Sequence, residues 1–369
     1  MSRVSVAFCI SGHGFGHASR QVEVINALGA LCPAVPIAVY TVASRWLLDR
    51  TIRVPVTLHA IACDTGGVQH DSLELDIPAT LAAADAFERE ADARADELAA
   101  RLRAASTRVV VCDVPAMPCT AAERAGAPAV ALSNFTWDWI YDDFTADHPG
   151  YDDLPARLQA HYARAHAGWR LPMGGGFDGF RTVLDMPWIA RRSTRDPRDT
   201  RRLLGLADDT RPLVLLSFGG YGVSGWRLTH HAAAPYRLVI AGGASHEPTA
   251  LPSDALQIAR DDLQARGLRY EDLVAACDVV VSKPGYGIVS ECVANGTALL
   301  YTDRGRFREY DVMVAEMPEV LRTRFITQQT LASARWDDDI AELLSQPQPS
   351  ARPLVNGADV AAGMISAML

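Results

Sequence analysis

The chain has 369 residues, with 35 basic and 44 acidic side chains and a formal net charge of −9. This balance argues against a nucleic-acid-binding protein, because such proteins neutralise phosphates with a basic surface. The length predicts two domains, each large enough to bury its own core.

The N-terminus and the cysteines indicate the compartment. Residues 1–3 lead directly into an apolar strand pattern, so they are too short to form a signal peptide. No apolar run approaches the roughly 18 residues that a membrane-spanning helix needs. The seven cysteines form no Cys-x-x-Cys pair, and Cys9, Cys112, Cys277 and Cys292 lie in apolar runs typical of core thiols in a reducing compartment. We therefore predict a cytoplasmic protein without an integral membrane segment.

The first predicted strand, residues 4–10, is followed by a glycine-rich loop over residues 11–20 and by a helix predicted over residues 21–31. Glycines at alternate positions of the loop, including Gly14 and Gly16, allow the backbone to approach a ligand closely. Their spacing differs from the dinucleotide-binding pattern, because no third glycine follows at the required distance. We predict that this loop contacts a substrate.

Two histidines in the loop, His13 and His17, have three possible roles. A metal site is a weak interpretation, since no third ligand is nearby, and both side chains could instead cap the helix. Alternatively, a histidine at the carboxyl end of a strand can act as a general base towards a sugar or phenol hydroxyl group. Such a base usually needs an orienting carboxylate. Asp113, at the end of another apolar strand, could share its crevice, although it could equally be an N-cap or turn residue.

Further along, an alanine-rich, charged helix is predicted over residues 82–105 and a strand over residues 129–133. The segment 134–141, predicted as a loop, holds four aromatic residues and Asp138. The rings could fill the core or could stack on the apolar face of an acceptor, and the carboxylate could accept a hydrogen bond from a hydroxyl group. We include Asp138 among the candidate substrate-binding residues.

A polar, basic stretch broken by prolines places the domain boundary near residues 190–205. The predicted N-terminal domain covers residues 1–195 and the predicted C-terminal domain covers residues 205–350. Residues 351–369 form a separate C-terminal segment that contains a short apolar helix.

In the second half, residues 220–225 match Gly-x-Gly-x-x-Gly after an apolar strand. An NAD site would also need an acidic residue at the end of the next strand, where this chain has glycines and a serine. We therefore interpret Ser217, Gly219 and Gly220 as a phosphate-facing loop and Gly243 as part of the same pocket.

The most informative stretch is residues 277–291. A β-branched strand over residues 279–281 is stopped by Lys-Pro-Gly, and a helix is predicted over residues 288–294. This arrangement presents free N–H groups and a positive helix end to a diphosphate, and Glu291 could accept hydrogen bonds from the hydroxyls of a ribose. The alternative is an ordinary strand-to-helix turn with a surface glutamate. The candidate contacts in this stretch are Lys283, Gly285, Tyr286, Gly287, Ser290 and Glu291.

The segment 283–291, Lys-Pro-Gly-Tyr-Gly-Ile-Val-Ser-Glu, resembles the donor-nucleotide segment of GT-B glycosyltransferases, in particular the N-acetylglucosaminyltransferase of peptidoglycan lipid precursors. The resemblance implies that Gly285 faces the diphosphate and that Glu291 holds the ribose. It also implies that Tyr270 and Leu273 line the base pocket, although Leu273 could equally belong to the core.

The first loop is similar to the Gly-Gly-His turn of the same enzymes. This likeness places His17, rather than His13, at the position of the base and makes Asp113 its partner. Where these enzymes often carry an acidic and an amide residue for the donor sugar, the chain has Glu309 and Asp311 but no Gln, so the donor sugar is not identified.

Most of the chain also resembles the glycosyltransferase-like N-terminal domain of plant and bacterial L-arabinokinases. The phosphate-binding loop Gly-x-x-x-x-Gly-Lys-Ser/Thr is absent, and the chain ends too soon for a second catalytic unit, so kinase activity is not expected. The segments that carry the resemblance are residues 12–20, 63–69, 113–115, 133–141 and 218–220.

These resemblances imply an α/β protein of GT-B fold, in which two Rossmann-like, doubly wound parallel-sheet domains face a cleft and the terminal helix crosses back to the first domain. The expected activity is transfer of a sugar from a nucleotide sugar, a UDP-sugar, to a hydroxyl group of a small-molecule or glycan acceptor. It would need no metal or other cofactor and would invert the anomeric carbon. A non-catalytic nucleotide-sugar-binding regulator and a non-hydrolysing sugar-nucleotide epimerase are the alternatives. The acceptor and the oligomeric state are not predicted.

Overall fold

The computed structural model describes residues 4–219, 223, 234–241 and 253–369. Two of the predicted phosphate-facing residues, Gly220 and Gly243, lie outside the described residues. Across the described ranges, no helix is both long enough and apolar enough to span a bilayer.

The first half contains a seven-stranded parallel sheet, counted over the described residues, with strand order β3-β2-β1-β4-β5-β6-β7. Its strands are β1 (Ser5–Ile10), β2 (Ile37–Tyr40), β3 (Thr57–His59), β4 (Thr107–Asp113), β5 (Ala129–Ser133), β6 (Ala167–Arg170) and β7 (Val183–Asp185). Its helices are α1 (Gly16–Leu31), α2 (Arg45–Thr51), α3 (Ile77–Arg89), α4 (Ala91–Ala104), α5 (Met117–Ala125), α6 (Trp137–Thr145) and α7 (Leu154–Tyr162).

The second half contains a six-stranded parallel sheet within the described ranges, with order β10-β9-β8-β11-β12-β13. Its strands are β8 (Leu213–Leu216), β9 (Arg237–Ala241), β10 (Leu256–Ile258), β11 (Val279–Ser282), β12 (Ala298–Tyr301) and β13 (Thr323–Phe325). The helices are α8 (Pro197–Leu203), α9 (Arg260–Ala265), α10 (Tyr270–Ala276), α11 (Tyr286–Asn295), α12 (Arg308–Val320), α13 (Gln328–Ser333), α14 (Asp337–Ser345) and α15 (Gly357–Ser366).

Both sheets reverse their strand order at one point, between β1 and β4 in the first half and between β8 and β11 in the second. The central strands are continuous apolar runs because helices cover both faces of each sheet, which buries every residue of β1 and β11. The prediction of two doubly wound parallel sheets is therefore confirmed. Ligands of such sheets bind at the carboxyl ends of the strands beside the reversal.

Three predicted elements differ from the structure. The helix predicted over residues 21–31 begins at Gly16, because Ser19 N–H donates to the Phe15 carbonyl (2.9 Å) and buried side chains of the first turn pack on the sheet. Tertiary packing thus outweighs the low helix propensity of glycine. The helix predicted over residues 82–105 is two helices that meet at Glu90. The predicted aromatic loop is largely helix α6, which buries Trp137 and Tyr141 in the core of the first half.

The last helix, α15, packs against α1 of the first half, and the Cys32 sulfur lies 3.2 Å from the Ser366 hydroxyl oxygen. The chain reaches it along the segment between the halves, where Trp188 N–H donates to the Leu354 carbonyl (3.0 Å) and Gly357 N–H donates to the Trp188 carbonyl (2.9 Å). The C-terminal segment therefore ties the second half back to the first.

Replacing Gly357 with alanine is expected to loosen this connection. A Cβ atom there would lie 2.3 Å from the Pro187 carbonyl oxygen and 2.8 Å from that of Trp188. Overpacking against backbone typically costs about 1–3 kcal/mol, so the free energy of unfolding measured in urea should fall by that amount. The matched control is Gly363→Ala in the same helix, where a Cβ atom meets nothing within 4 Å. Equal effects of the two substitutions would contradict the packing argument.

Candidate functional site

A cavity of about 450 Å³ lies between the two halves, at the carboxyl ends of both sheets. Residues from the loop before α1 form one wall, and residues at the ends of β8 and β11 form the opposite wall. The predicted site residues that line it are His13, Gly14, Gly16, His17, Ser217, Gly219, Tyr270, Lys283, Gly285, Tyr286, Gly287, Glu291 and Glu309.

Three predicted substrate contacts do not line this cavity, and the structure corrects them. Leu273 is fully buried in the core on α10, so of its two interpretations the core role holds. Ser290 is buried, and its hydroxyl donates to the Gly287 carbonyl (2.9 Å). Asp138 lies in the first turn of α6 and is also buried, because α6 turns this residue towards the body of the first half.

The predicted histidine and aspartate meet at the strand reversal of the first sheet. His17 is in the first turn of α1, and Asp113 ends the neighbouring strand β4. His17 Nδ1 lies 2.8 Å from Asp113 Oδ1. The imidazole packs edge-on against the ring of Phe135, with centroids 5.4 Å apart, and remains on the cavity wall. A buried carboxylate thus orients an imidazole that reaches the cavity.

Asp113 has further partners that sequence reasoning missed. Arg20 holds both of its oxygens, with Nε 2.5 Å from Oδ2, and Gln21 Nε2 donates to Oδ2 over 2.9 Å. Burial by itself would raise the pKa of Asp113, but Arg20 and then His17 lower that pKa to about 2. The carboxylate therefore stays ionised at neutral pH. Arg20 lies within the glycine–histidine motif, yet nothing in the motif indicates that an arginine there is buried.

The neighbouring arginine contacts His17 as well as Asp113. Arg20 Nη2 lies 2.9 Å from His17 Nδ1 and donates to Asp113 Oδ1 and to Ser133 Oγ. A guanidinium group can only donate, so Arg20 and Asp113 favour opposite tautomers of His17. When Nδ1 is protonated, Nδ1–H donates to Asp113, and Nε2 then carries the lone pair that a general base needs.

A chain of hydrogen bonds extends from this pair into the second half. Arg20 Nη1 donates to Asn134 Oδ1 (2.6 Å), and Asn134 Nδ2 donates to Glu309 Oε1 (2.8 Å). Arg304 Nη1 then donates to the other carboxylate oxygen of Glu309 (3.2 Å). Glu309, predicted as a sugar contact, thus lines the cavity and also joins the two halves.

The opposite wall is the turn between β11 and α11. Gly285 precedes α11. The first N–H groups of α11 lie at the end of the helix that borders the cavity. The two glycine loops meet closely, since a Cβ atom on Gly287 would lie 3.4 Å from Gly16 Cα. Lys283 has no hydrogen-bond or ion-pair partner within the described residues, and burial followed by the charge of Arg304 places its pKa well below the usual range. This wall concentrates hydrogen-bond donors.

Ser217, at the end of β8, is hydrogen-bonded to α10 and to β11. Its hydroxyl hydrogen-bonds with the Tyr270 hydroxyl, and its carbonyl accepts from Ser282 Oγ over 2.5 Å. Burial raises the pKa of Tyr270 above its usual range, so the phenol stays protonated. Ser217 and Tyr270 are therefore held in place on the cavity wall.

Glu291 is only 3% exposed, so the alternative of a surface glutamate is wrong. Arg191 directs Nε (2.7 Å) and Nη2 to its Oε1 atom, and the guanidinium carbon lies 5.1 Å from the centroid of the Tyr270 ring. Burial raises the pKa of Glu291, although Arg191 opposes this effect. Oε2 has no hydrogen-bond partner among the described side chains and backbone groups, so it can accept from a ligand. Sequence reasoning missed Arg191 because it lies in a stretch interpreted as a linker.

Further ion pairs join the two halves. Arg306 Nε lies 2.8 Å from Asp143 Oδ2, and Arg308 Nη1 lies 3.0 Å from Asp142 Oδ2. On another side, Arg50 Nη2 lies 2.7 Å from Asp261 Oδ1. In the described part of the chain, no three His, Cys, Asp or Glu side chains are grouped to hold a metal ion.

No protein-family model matches the chain. The chain is 30% identical over 366 residues to L-arabinokinase from Arabidopsis thaliana, a match that covers 97% of this chain and 34% of that protein. It thus spans about a third of the length of this relative. The predicted resemblance to L-arabinokinases is confirmed.

Solved structures of glycosyltransferases superpose on nearly the whole chain. UGT89C1 from Arabidopsis thaliana has a TM-score of 0.61 at 13% identity and covers 98% of this chain and 93% of its own. SnogD from Streptomyces nogalater has a TM-score of 0.56 at 15% identity over 100% of both chains. The chain has the GT-B fold. The structure of UGT2 from Phytolacca americana, complexed with UDP-2-fluoro-glucose and pterostilbene, is also similar. It has a TM-score of 0.59 at 14% identity and covers 100% of this chain and 94% of its own.

Within the GT-B fold, the two halves contribute different chemistry to one cavity. The first half supplies the His17–Asp113 pair, and the second supplies the N-terminus of α11 with Lys283. The two walls are in direct contact, since the guanidinium carbon of Arg20 lies 5.0 Å from the centroid of the Tyr286 ring. An imidazole paired with a carboxylate therefore faces a region of free N–H donors.

Proposed function

We propose that the chain is a glycosyltransferase that moves a sugar from a nucleotide sugar, a UDP-sugar, to a hydroxyl group of a small-molecule or glycan acceptor. The observation that carries the proposal is the buried His17–Asp113 pair on a cavity whose opposite wall is the N-terminus of α11. The glycosyltransferase UGT2 of Phytolacca americana was solved with UDP-2-fluoro-glucose, which supports a UDP-sugar donor here by analogy of fold.

In the proposed reaction, His17 Nε2 takes the proton of the acceptor hydroxyl as its oxygen forms a bond to the anomeric carbon. The bond from that carbon to the diphosphate oxygen breaks, and the nucleoside diphosphate leaves with the electron pair. Attack from the side opposite the leaving group inverts the anomeric carbon. Asp113 holds the ring in position and stabilises the imidazolium that forms.

The diphosphate would lie at the N-terminus of α11 and beside Lys283. The free N–H groups there are fixed by the fold before substrate arrives, so they can receive the growing negative charge without reorganisation. Removal of one such donor typically costs about 10²–10³ in rate. In this mechanism the protein's own N–H groups and cations, without a metal cofactor, offset the charge of the leaving group.

A second candidate is a regulator that binds a nucleotide sugar without turning it over. Two contacts favour it, because Arg20 engages both oxygens of Asp113 and Arg191 engages Glu291. An ionised Asp113 shared with an arginine stabilises an imidazolium less than a carboxylate dedicated to the histidine.

Incubation with labelled UDP-sugars and a panel of hydroxyl acceptors separates the possibilities. UDP release with formation of a glycosylated product supports transfer. Binding measured by calorimetry without any UDP release supports the regulator, and conversion to an epimeric UDP-sugar would overturn both.

We place the activity in the cytoplasm, because all seven cysteines are free thiols and six of them are buried.

Replacing Glu291 with glutamine is expected to weaken UDP binding by about 10–100-fold, because a charged acceptor for the ribose hydroxyls is lost. The rate at saturating donor should change little, since Glu291 does not act on the reacting atoms in this mechanism. Dissociation constants from calorimetry and saturating rates from UDP release test both points. The control is Glu342→Gln, which removes an exposed carboxylate paired with Arg324 in the same half. A fall in rate at unchanged UDP affinity would contradict the ribose assignment.

A further inference from the structure

We infer that His13 is a second catalytic histidine, which stays neutral and donates its Nε2–H to the diphosphate of the donor. This inference rests on the proposed function, since it assigns a residue to the leaving group of that reaction. It gives the two histidines of the glycine-rich loop opposite roles: His17 accepts a proton and His13 supplies a hydrogen bond.

The backbone fixes the tautomer of His13. Gly67 N–H donates to His13 Nδ1 over 3.1 Å. A backbone amide can only donate, so Nδ1 must carry a lone pair, and the single proton of the neutral ring is on Nε2. His13 lines the cavity, and within the described parts of the chain its Nε2 has no hydrogen-bond partner. An N–H donor is therefore left available on the cavity wall.

The surroundings keep this ring uncharged. Burial is the largest effect that lowers the pKa of His13 well below the ordinary value, and the charges of His17, Arg304 and Lys283 lower it further. Asp64, an acidic group on the adjoining loop, accepts hydrogen bonds from Ser11 Oγ (3.0 Å) and Trp137 Nε1 (2.8 Å), so it is engaged elsewhere. At neutral pH His13 is therefore an uncharged ring that can donate a hydrogen bond but does not act as a general acid.

The ring is also held rigidly. Gly66 and Gly67 bring the loop backbone directly against it, and a Cβ atom on Gly66 would lie 2.6 Å from His13 Cβ. On its other side, the Trp137 ring meets the imidazole edge-on, with centroids 5.6 Å apart. A donor fixed in this way needs no reorganisation when charge develops on the leaving group.

The charges around His13 select an anion as its ligand. Lys283 and Arg304 both line the cavity close enough for their charge to act on the ring. Lys283 belongs to the turn before α11, where the helix end also favours negative charge. An oxygen of a diphosphate placed there receives the imidazole N–H together with the Arg304 guanidinium and the Lys283 amine, so the imidazole itself need not be charged.

NMR of ¹⁵N-histidine-labelled protein tests the inference directly. At pH 7, His13 should show the Nε2–H tautomer, and its signals should move on addition of UDP but not on addition of uridine. A protonated ring, the Nδ1–H tautomer, or equal shifts with UDP and uridine would each overturn the inference. If UDP does not bind at all, the proposed function fails, whereas the tautomer result still tests the structural part of the argument.

Substitutions give an activity readout. His13→Ala should lower the rate of transfer at saturating donor by about 10²–10³-fold, and His13→Gln, which retains an N–H donor, should recover a large part of it. Gly66→Ala should reproduce the loss by displacing the ring. Its control is Gly126→Ala, a glycine of similar φ (+75° against +63°) where a Cβ atom meets nothing within 4 Å. Equal activity of His13→Ala and the native protein would overturn the assignment.

Discussion

His17→Ala is expected to lower the rate of sugar transfer by about 10²–10⁴-fold while UDP affinity remains nearly unchanged. The reason is that Nε2 of His17 is the group that removes the acceptor proton, whereas the diphosphate and ribose are bound by the other wall of the cavity. Saturating rates from UDP release and dissociation constants from calorimetry measure the two quantities separately.

The control for this substitution is His166→Ala, which removes an exposed histidine of the same half. It should leave both quantities unchanged. The double substitution of His17 and Asp113 should be no slower than His17→Ala alone, because the carboxylate acts only through the imidazole. Equal losses of rate and of UDP affinity in His17→Ala would show that the residue binds the donor and is not the base.

The second large effect expected concerns stability. Arg20→Met should lower the free energy of unfolding by about 3–5 kcal/mol, because it leaves the buried Asp113 carboxylate without its cation. The two side chains are only 3% and 0% exposed, so water cannot replace the lost contacts. Urea unfolding of the variant and of the native protein measures the difference.

The matched control is Arg45→Met, which breaks an ion pair between side chains that are 70% and 51% exposed. Such a pair is worth at most about 1 kcal/mol. Adding Asp113→Asn to Arg20→Met should restore part of the stability, since the unpaired charge is then gone. Comparable losses for Arg20→Met and Arg45→Met would contradict a buried, charge-paired Asp113.

The Arg20–Asp113 pair also makes the free energy of unfolding depend on pH. The folded-state pKa of Asp113, about 2, is below its ordinary value of 3.8. Its contribution to stability is therefore fully present above pH 3.8 and is lost as the pH falls through about 2. In Arg20→Met the pKa of Asp113 should rise, so the interval between 3.8 and the folded-state pKa narrows, and the loss of stability from this group should be smaller in urea unfolding followed from pH 7 downwards.

Local sequence patterns determined the elements that build the site. The β-branched runs of β4 and β11 are strands because both faces of each sheet are covered, and the glycines after β1 and β11 mark sites of close backbone approach. The pairing of His17 with Asp113 followed from a general rule, that carboxyl ends of parallel strands share an edge. The resemblance of residues 283–291 to donor-binding segments added the expected ligand.

The tertiary structure decided which polar groups are paired. Arg20 meets Asp113, and Arg191 meets Glu291, across 93 and 100 residues of sequence respectively. Arg20 lies in the predicted substrate loop and Arg191 in the polar stretch predicted as the domain boundary, and burial of a charge is visible only when its partner is in place. The direction of individual side chains was decided in the same way, as the buried Asp138 and Leu273 show.

Sequence alone thus determined the strands, glycine loops and helices that flank the cleft, and with them the residue types that meet there. Only the tertiary structure decided the partners of the two histidine rings. Each ring meets a group distant in sequence, Asp113 for His17 and the backbone of Gly67 for His13. The physical reason is that periodicity and propensity act over a few residues, whereas a proton is placed by whichever donor or acceptor the fold brings within about 3 Å.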